Sequence, residues 1–517
     1  MMRARGVALA ALGAFAAVSV AGVLLRPLIP IDETRYVDVA WEMHQTGQWL
    51  LPTKNHTLYT DKPPLLFWLI NLVWSVFGVS GVAARLVGPA FGLAMVAGVW
   101  ALGRRLWDGR TGATAAAVLA GMVVFLAYGG ATMFDTMLGC ATLIGVAALW
   151  RAMGRAELDL PGWLGFGFAI AMGVYAKGPV IFLHLMPALL AAPLWADPAT
   201  RPRVGVIGRG VGLAFALALG LVALWVVPAA IAGGPEYRHM ILWEQTAGRT
   251  VNSFAHARPW YWLIALMPVI LYPWIWSGAL WRGLVRLRLS DRSLRLALVW
   301  AGAGVALFSL VSGKQVHYLI PELPAVALIF ARALIAAEEA GLARRNWLAA
   351  GLAVALGGGL IAAALGLVGD PRLSAQLAPS WVVIAIAGGL AVAAIAALRL
   401  PVVASSTAIG LALILALNLV IGLTGLGRGY DSAVIAAKIA PREAAGIAVI
   451  ARQYHEEFGF EARLTGPVAL PAHDEAGAWL AAHPGGVLLA ECAFAPLPLE
   501  GAEVVDFNGT DWCLWRG

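Results

Sequence analysis

Residues 7–64 read VALAALGAFAAVSVAGVLLRPLIPIDETRYVDVAWEMHQTGQWLLPTKNHTLYTDKPP. From Val7 to Leu25 the stretch carries no charge, which suits a helix crossing a lipid bilayer. Arg26-Pro27 stands where a signal peptide would show small residues for cleavage, so an uncleaved first span is expected. Beyond it the character changes at once. Asp32, Glu33, Arg35, Asp38 and Glu42 crowd into one short segment, which ends in the proline pair Pro63-Pro64. An apolar helix that opens onto a dense polar loop is the unit from which the rest is read.

Working outward, the chain of 517 residues is 61% hydrophobic and only 13% charged. A soluble domain holds about 25% charged residues. This balance excludes a soluble enzyme, and it excludes disorder, which needs high charge and few apolar residues. Apolar runs predict a polytopic α-helical membrane protein with thirteen spans: 7–29, 82–103, 112–130, 136–150, 161–176, 179–195, 210–232, 260–281, 296–312, 318–336, 347–367, 380–398 and 403–425. The fourth and fifth are short.

Basic residues orient the bundle. With a cytoplasmic N-terminus, the inner loops collect Arg104, Arg105, Arg110, Arg151, Arg155, Arg201, Arg203, Arg209, Arg282, Arg286, Arg288, Arg292, Arg295, Arg344, Arg345 and Arg399. The expected location is a bacterial inner membrane, with the active site and the tail periplasmic. Residues 1–427 are expected to form the membrane domain, with an outer catalytic loop at about 30–81. Residues 428–517 are expected to form a small α/β soluble domain, helical over 441–458 and strand-like over 486–489 and 503–507. The net charge of +7 is dispersed between apolar runs, so no nucleic-acid partner is implied. Three cysteines exclude a disulfide framework. Cys492 and Cys513 could pair in an oxidising compartment.

The lysines mark the chemistry. There are five, Lys54, Lys62, Lys177, Lys314 and Lys438, and the topology puts all of them on the outer side. Lys62, Lys177 and Lys314 abut apolar helices, where a compact ammonium suits a phosphate. Snorkelling at the interface is the plain alternative. Lys62-Pro63-Pro64 precedes LLFWLINLVWSVFG, which is too short to span and reads as an amphipathic helix lying in the interface. Lys177-Gly178-Pro179 repeats this arrangement at the start of the sixth span. Two lysines at two helix N-termini would cradle a phosphate. Asp32, Glu33 and Asp135 lie beside them, and the plain reading of Asp32 and Asp135 is helix N-capping. Arg258 and Lys314 are further phosphate candidates. The histidines of the outer loops show no ligand spacing. The one weak metal pairing is Asp61 with His256.

These residues resemble a known family. The segment 32–86 is similar to the first outer loop of the lipid A aminoarabinose transferases, which belong with the protein O-mannosyltransferases to the GT-C class of membrane glycosyltransferases. The resemblance rests on Asp32-Glu33-x-Arg35-Tyr36, Glu42-Met43 before Gly47, Trp49 to Pro52, Tyr59 and Lys62-Pro63-Pro64. It continues at Asp135, at Lys177-Gly178 and over Ser312 to Pro324. One departure is visible: the family usually has Glu where this chain has Asp61.

The resemblance implies sugar transfer from a polyprenyl-phosphate donor to an envelope acceptor such as lipid A. Asp32 is then the lead catalytic residue, with Asp135 and Glu33 beside it. Lys62, Lys177, Arg258 and Lys314 would bind the donor phosphate. Arg35, Tyr36, Tyr59, Asp61 and Tyr318 would contact substrate. No cofactor is expected to be required, and a divalent metal is left open. The alternative is a transporter or flippase of an anionic polyprenyl-linked lipid, which should show repeated halves and charges near mid-membrane.

Overall fold

The computed structural model describes residues 2–241, 257–451 and 454–517. Helix α1 (Met2–Leu25) leads into α2 (Asp32–Thr46). Helix α2 stops at Gly47, whose φ of 66° is the left-handed ending that glycine allows. A hairpin follows, with β1 (Thr53–Lys54) antiparallel to β2 (Thr57–Leu58). Its turn residues Asn55 and His56 both have positive φ, the twist that two-residue hairpins favour. Helix α3 (Leu65–Phe77) buries Leu66, Phe67, Ile70 and Trp74 and leaves Leu72, Val76 and Phe77 bare. At roughly 20 Å it is too short for a core about 30 Å thick. Its two-sided character is that of an interfacial helix.

Among the described residues, nine helices are long and apolar enough to cross a membrane. A tenth arises if α5 (Gly109–Gly121) and α6 (Val123–Gly129), bent by 73°, are counted as one. The multi-pass character expected from the sequence is therefore present, but length and composition do not return thirteen. Helix α7 (Asp135–Ala152), the fourth expected span, holds Asp135 and Arg151 at its ends. The eighth is split into the short pieces Trp262–Ala265, Met267–Ile270, Trp274–Trp276 and Gly278–Leu284. The fifth and sixth run together as one helical segment, Leu160–Leu190.

That segment nevertheless turns back on itself. Helix α8 (Leu160–Lys177) ends at Gly178, with φ +73°. Helix α9 (Ile181–Leu190) then descends alongside α7. A Cβ on Gly173 would meet the Ile181 side chain, one on Gly145 would meet Leu185, and Trp195 stacks on Trp150 at 5.9 Å. No straight helix could make these contacts.

Close helix crossings depend on small residues, as expected where lipid provides no hydrophobic drive between helices. A Cβ on Gly103 of α4 (Gly81–Leu106) would stand 2.7 Å from the Gly112 Cα of α5. The helix ends sort onto two faces. Arg26, Asp32, Asp135 and Lys177 share one face. At the other, Arg110 pairs with Glu338 and Glu339, Arg292 lies over Trp150 at 3.7 Å, and the Trp107 indole donates to Asp291.

The tail carries a four-stranded sheet ordered β3 (Ile447–Ile450), β4 (Val487–Glu491), β6 (Thr510–Arg516), β5 (Glu503–Phe507). β3 and β4 are parallel and the other pairs antiparallel. The expected helix over 441–458 is not formed. Ile447 to Ile450 are buried on both faces, so the apolar run makes a strand at the sheet edge instead, its outer side covered by the bridge from Ala448 to Ala469. β4 and β5 fall where strands were expected, and Cys492 is joined to Cys513 by a disulfide.

The sheet unit sits against the first loop. The Trp41 indole donates to the Leu464 carbonyl at 2.9 Å, Trp74 stacks on Phe460 at 5.5 Å, and Asn55 exchanges two hydrogen bonds with the Val468 backbone.

Candidate active site

Asp32 is the first residue of α2. Ile31 holds the N-cap position and no side chain caps the helix, so Asp32 is not an N-cap. Its Oδ1 accepts from Arg35 Nη2 at 2.6 Å and from the Tyr36 hydroxyl at 2.8 Å, both one turn along the same helix. The Asp32 side chain keeps 40% of its surface exposed. It is therefore oriented by two donors yet open to a ligand. Burial, with Asp32 and Tyr59 nearby, pushes the Tyr36 phenol well above its ordinary value. Tyr36 stays protonated and donates.

Glu33, its neighbour in sequence, points the other way and is buried. It accepts from Arg26 Nη1 at 2.8 Å, the Ile29 amide at 3.0 Å and the Thr132 amide at 2.8 Å. Burial alone would raise its pKa. The Arg26 and Arg85 charges and the two backbone donors outweigh that and hold it below the usual carboxylate range. Both oxygens are engaged in joining α2 to α1 and to the loop before α7. This is a positioning role, not the catalytic one the sequence suggested.

Asp135 begins α7, whose N-cap is Phe134, so it too is not an N-cap. It is 1% exposed and accepts from Lys177 Nζ at 2.6 Å. Lys177 also lies over the Tyr318 ring at 4.7 Å. The sequence placed Lys177 at a helix start. It is at once the last residue of α8, where the negative end of the helix dipole favours a cation, and the N-cap of the helical turn Gly178–Val180 that leads into α9. Both lysines thus stand just before a helical segment, and Lys177 is in addition held in an ion pair. Lys62 stands three residues before α3, with its Nζ 6.0 Å from the Phe134 ring. Asp135 interacts electrostatically with Lys177, His317 and Lys62, and His317 also with Asp32. Asp32, Lys62, Asp135, Lys177, His317 and Tyr318 therefore form one neighbourhood.

Arg35 and Tyr59 belong to its edge: Tyr59 is 4% exposed and interacts with both Arg35 and Tyr36. Asp61 lies within electrostatic reach of His455 from the tail. Lys314 differs. It is 3% exposed, and its ammonium donates to the carbonyls of Arg258 (3.0 Å), Val311 and Ser312. Those bonds tie residues 257–258 to 311–313, where Ala257 bridges Gly313. Lys314 is occupied structurally and does not face a phosphate site. Arg258 is exposed and rests on Trp262 at 5.9 Å. His256, the proposed metal partner of Asp61, lies outside the described residues.

The sequence reading passed over Arg26, Arg85 and the His184–Glu322 pair. Arg85 donates to the Val23 and Arg26 carbonyls, and so closes the end of α1. His184 Nδ1 lies 2.5 Å from Glu322, both buried. Nothing local announces these partners, because each pairs across distant segments.

Helices in this order, with a short apolar helix in the first loop and a terminal sheet, make a fold class shared with two solved structures. The crystal structure of ArnT from Cupriavidus metallidurans bound to undecaprenyl phosphate superposes with a TM-score of 0.77 at 19% identity, covering 98% of this chain and 97% of that one. The Archaeoglobus fulgidus oligosaccharyltransferase tethered with an acceptor peptide matches at a TM-score of 0.53 and 14% identity, over 94% of this chain and 69% of that one.

Within that class the sequence narrows the likeness. Residues 61–227 match the dolichyl-phosphate-mannose-protein mannosyltransferase family. The undecaprenyl phosphate-alpha-4-amino-4-deoxy-L-arabinose arabinosyl transferase of Pseudomonas aeruginosa (strain UCBPP-PA14) is 30% identical over 312 residues, 59% of this chain and 55% of that protein. The second such transferase of Sodalis glossinidius is 30% identical over 320 residues, 59% of this chain and 56% of that one. The chain spans about half the length of the curated relatives it matches.

Proposed function

We propose that the chain is a glycosyltransferase that moves a sugar from a polyprenyl-phosphate donor to an envelope acceptor, with lipid A the leading candidate. The observation that carries this reading is the meeting of Asp32, Lys62 and the Asp135–Lys177 pair at one face of the bundle. Asp32 is the general base or acceptor-orienting carboxylate. Arg35 and Tyr36 fix its direction while one side stays open. Lys62 and Lys177 stabilise negative charge growing on the leaving phosphate, and Asp135 holds Lys177 in place. Helix α3 offers the prenyl chain an apolar surface next to Lys62.

The relatives named above act with undecaprenyl-phosphate-linked aminoarabinose, and one neighbour in structure was crystallised with undecaprenyl phosphate. Both support the donor class. The flippase reading is the weaker one, since the His184–Glu322 pair lies toward the ends of its helices, four residues into α9 and seven into the candidate span Val316–Glu339.

The topology proposed with this function has thirteen passes. The N-terminus and arginine-rich loops are cytoplasmic, and the first loop and the tail (428–517) are periplasmic. The broken stretch Trp262 to Leu284 and the α8–α9 reversal each supply a pass. Single cysteines at positions 54, 290 and 470 test this. Labelling by an impermeant reagent at 54 and 470 but not 290 is expected, and the reverse pattern sinks it.

The function itself is tested with purified protein in detergent, a polyprenyl-phosphate sugar and no nucleotide. Sugar transfer is expected. Transfer from a nucleotide sugar alone would refute the assignment.

A further inference from the structure

A second carboxylate cluster lies on α2, away from Asp32. Asp38 and Glu42 are one turn apart and so share a face. Glu456 meets them from the tail. The three are 2%, 6% and 4% exposed. One oxygen from each lies within 4.8 Å of the other two. Glu457, also buried, adds a fourth negative group within electrostatic reach. Among the described residues, none of these four carboxylates makes an ion pair. Glu42 is steadied by the hairpin, accepting from Thr53 Oγ1 at 2.7 Å and the His56 amide at 3.2 Å.

Two buried polar atoms point to what the cluster holds. Asp38 Oδ1 has no hydrogen-bond partner among the described residues. Neither has the hydroxyl of Tyr454, a side chain 8% exposed that interacts electrostatically with Glu456, Asp38, Glu457 and Glu42. Such groups are costly to bury unsatisfied. Asp38 and Glu456 stand within hydrogen-bond reach of each other, a closeness that a shared cation or a shared proton produces. Two ligands of one Ca²⁺, each about 2.4 Å from it, stand up to about 4.8 Å apart.

We propose that Asp38, Glu42 and Glu456, together with the Tyr454 hydroxyl, bind a hard divalent cation of the calcium type that fastens the C-terminal sheet unit onto α2. The donor set is all oxygen, without thiolate or imidazole, which selects against zinc and copper. Mg²⁺ fits less well, because it demands near-ideal octahedral geometry and keeps several waters rather than entering a closed all-protein cage. Cation binding would also relieve the mutual repulsion of the carboxylates. Without a cation, carboxylates this close and this buried must share protons instead.

The test uses the full-length protein in detergent. It is loaded separately with CaCl2, MgCl2, MnCl2 or ZnCl2, desalted, and measured for metal content and melting temperature. About one Ca²⁺ per chain is expected, with a rise in melting temperature that EGTA reverses. The double variant Asp38→Asn/Glu456→Gln should lose at least about tenfold of the bound metal and its thermal response. Glu461→Gln, on the same tail segment, should keep both. Stoichiometric Mg²⁺ or Mn²⁺ in place of Ca²⁺ would support the site and reassign the ion within the hard-cation class. Zn²⁺ alone, or no ion together with no thermal response, would overturn the proposal in favour of shared protons. If the double variant does not fold, the wild-type content and EGTA reversal decide.

Discussion

Helix α2 carries two acidic groups of opposite design. At its start, each carboxylate has a cation: Asp32 has Arg35, Glu33 has Arg26, and Asp135 beside them has Lys177. About 9 Å further along, Asp38 and Glu42 meet Glu456 with no ion pair among the described residues. The first group is charge-balanced by the protein, leaves Asp32 open and suits an anionic ligand that adds its own charge to the lysines. The second has Lys54 within electrostatic reach but no ion pair among the described residues, and is closed. Under the two proposals, the same residue types on one helix serve turnover at one end and attachment at the other. What separates them is whether each carboxylate is ion-paired within the fold.

The largest effect should come at the open end. Asp32→Asn removes the charge and keeps the shape, so transfer should fall about 10²–10⁴-fold while membrane insertion and metal content stay normal. Single-turnover kinetics with a polyprenyl-phosphate sugar measure this. A loss below tenfold would make the two ends alike in being structural.

Lys177→Ala should come next. It strands the buried Asp135 carboxylate, a change worth about 3–5 kcal/mol for a buried pair. Adding Asp135→Asn should recover much of the melting temperature but none of the activity. If the double variant melts no higher than the single, the pair is not energetically coupled.

Glu33 gives a smaller, pH-dependent effect. Its folded pKa is depressed, so its stabilisation is complete above the ordinary value of 4.5 and is lost as pH falls through the lower folded value. Melting curves from pH 6 down to about pH 3 should therefore lose less in Glu33→Gln than in the wild type. Identical acid slopes in both proteins would remove Glu33 from the charge-balanced end.

The smallest effect belongs to the docking surface. Asn55→Ala deletes the two bonds to Val468 and should cost about 1–2 kcal/mol without altering transfer. Limited proteolysis of the tail would read this as faster cleavage, and an unchanged rate would show that the closed end needs no help from the hairpin.

Much of this was legible in the sequence, for definite reasons. Uncharged runs such as Val7 to Leu25 announce spans by composition alone, and Asp32 and Lys62 stand out because they abut those runs. Lys177 was read in part, because Lys-Gly-Pro here ends one helix as well as beginning the next. The positive φ of Gly178 marks the turn from α8 toward α9. Ile447 to Ile450 misled because a short apolar run fits either periodicity, and only pairing with β4 decides it. Asp38 and Glu42 were in plain view but looked like the polar face of a helix. Their meaning depends on Glu456, which comes from the far end of the chain.

Helix α3 has a consequence of a different kind. It begins directly after Lys62-Pro63-Pro64, buries one side in the protein and leaves Leu72, Val76 and Phe77 uncovered. A helix held this way turns one side to the lipid and begins next to the residue proposed to grip the donor. Under that proposal, acyl-chain length and lateral tension would act on donor binding through α3, much as string tension sets the pitch of an instrument.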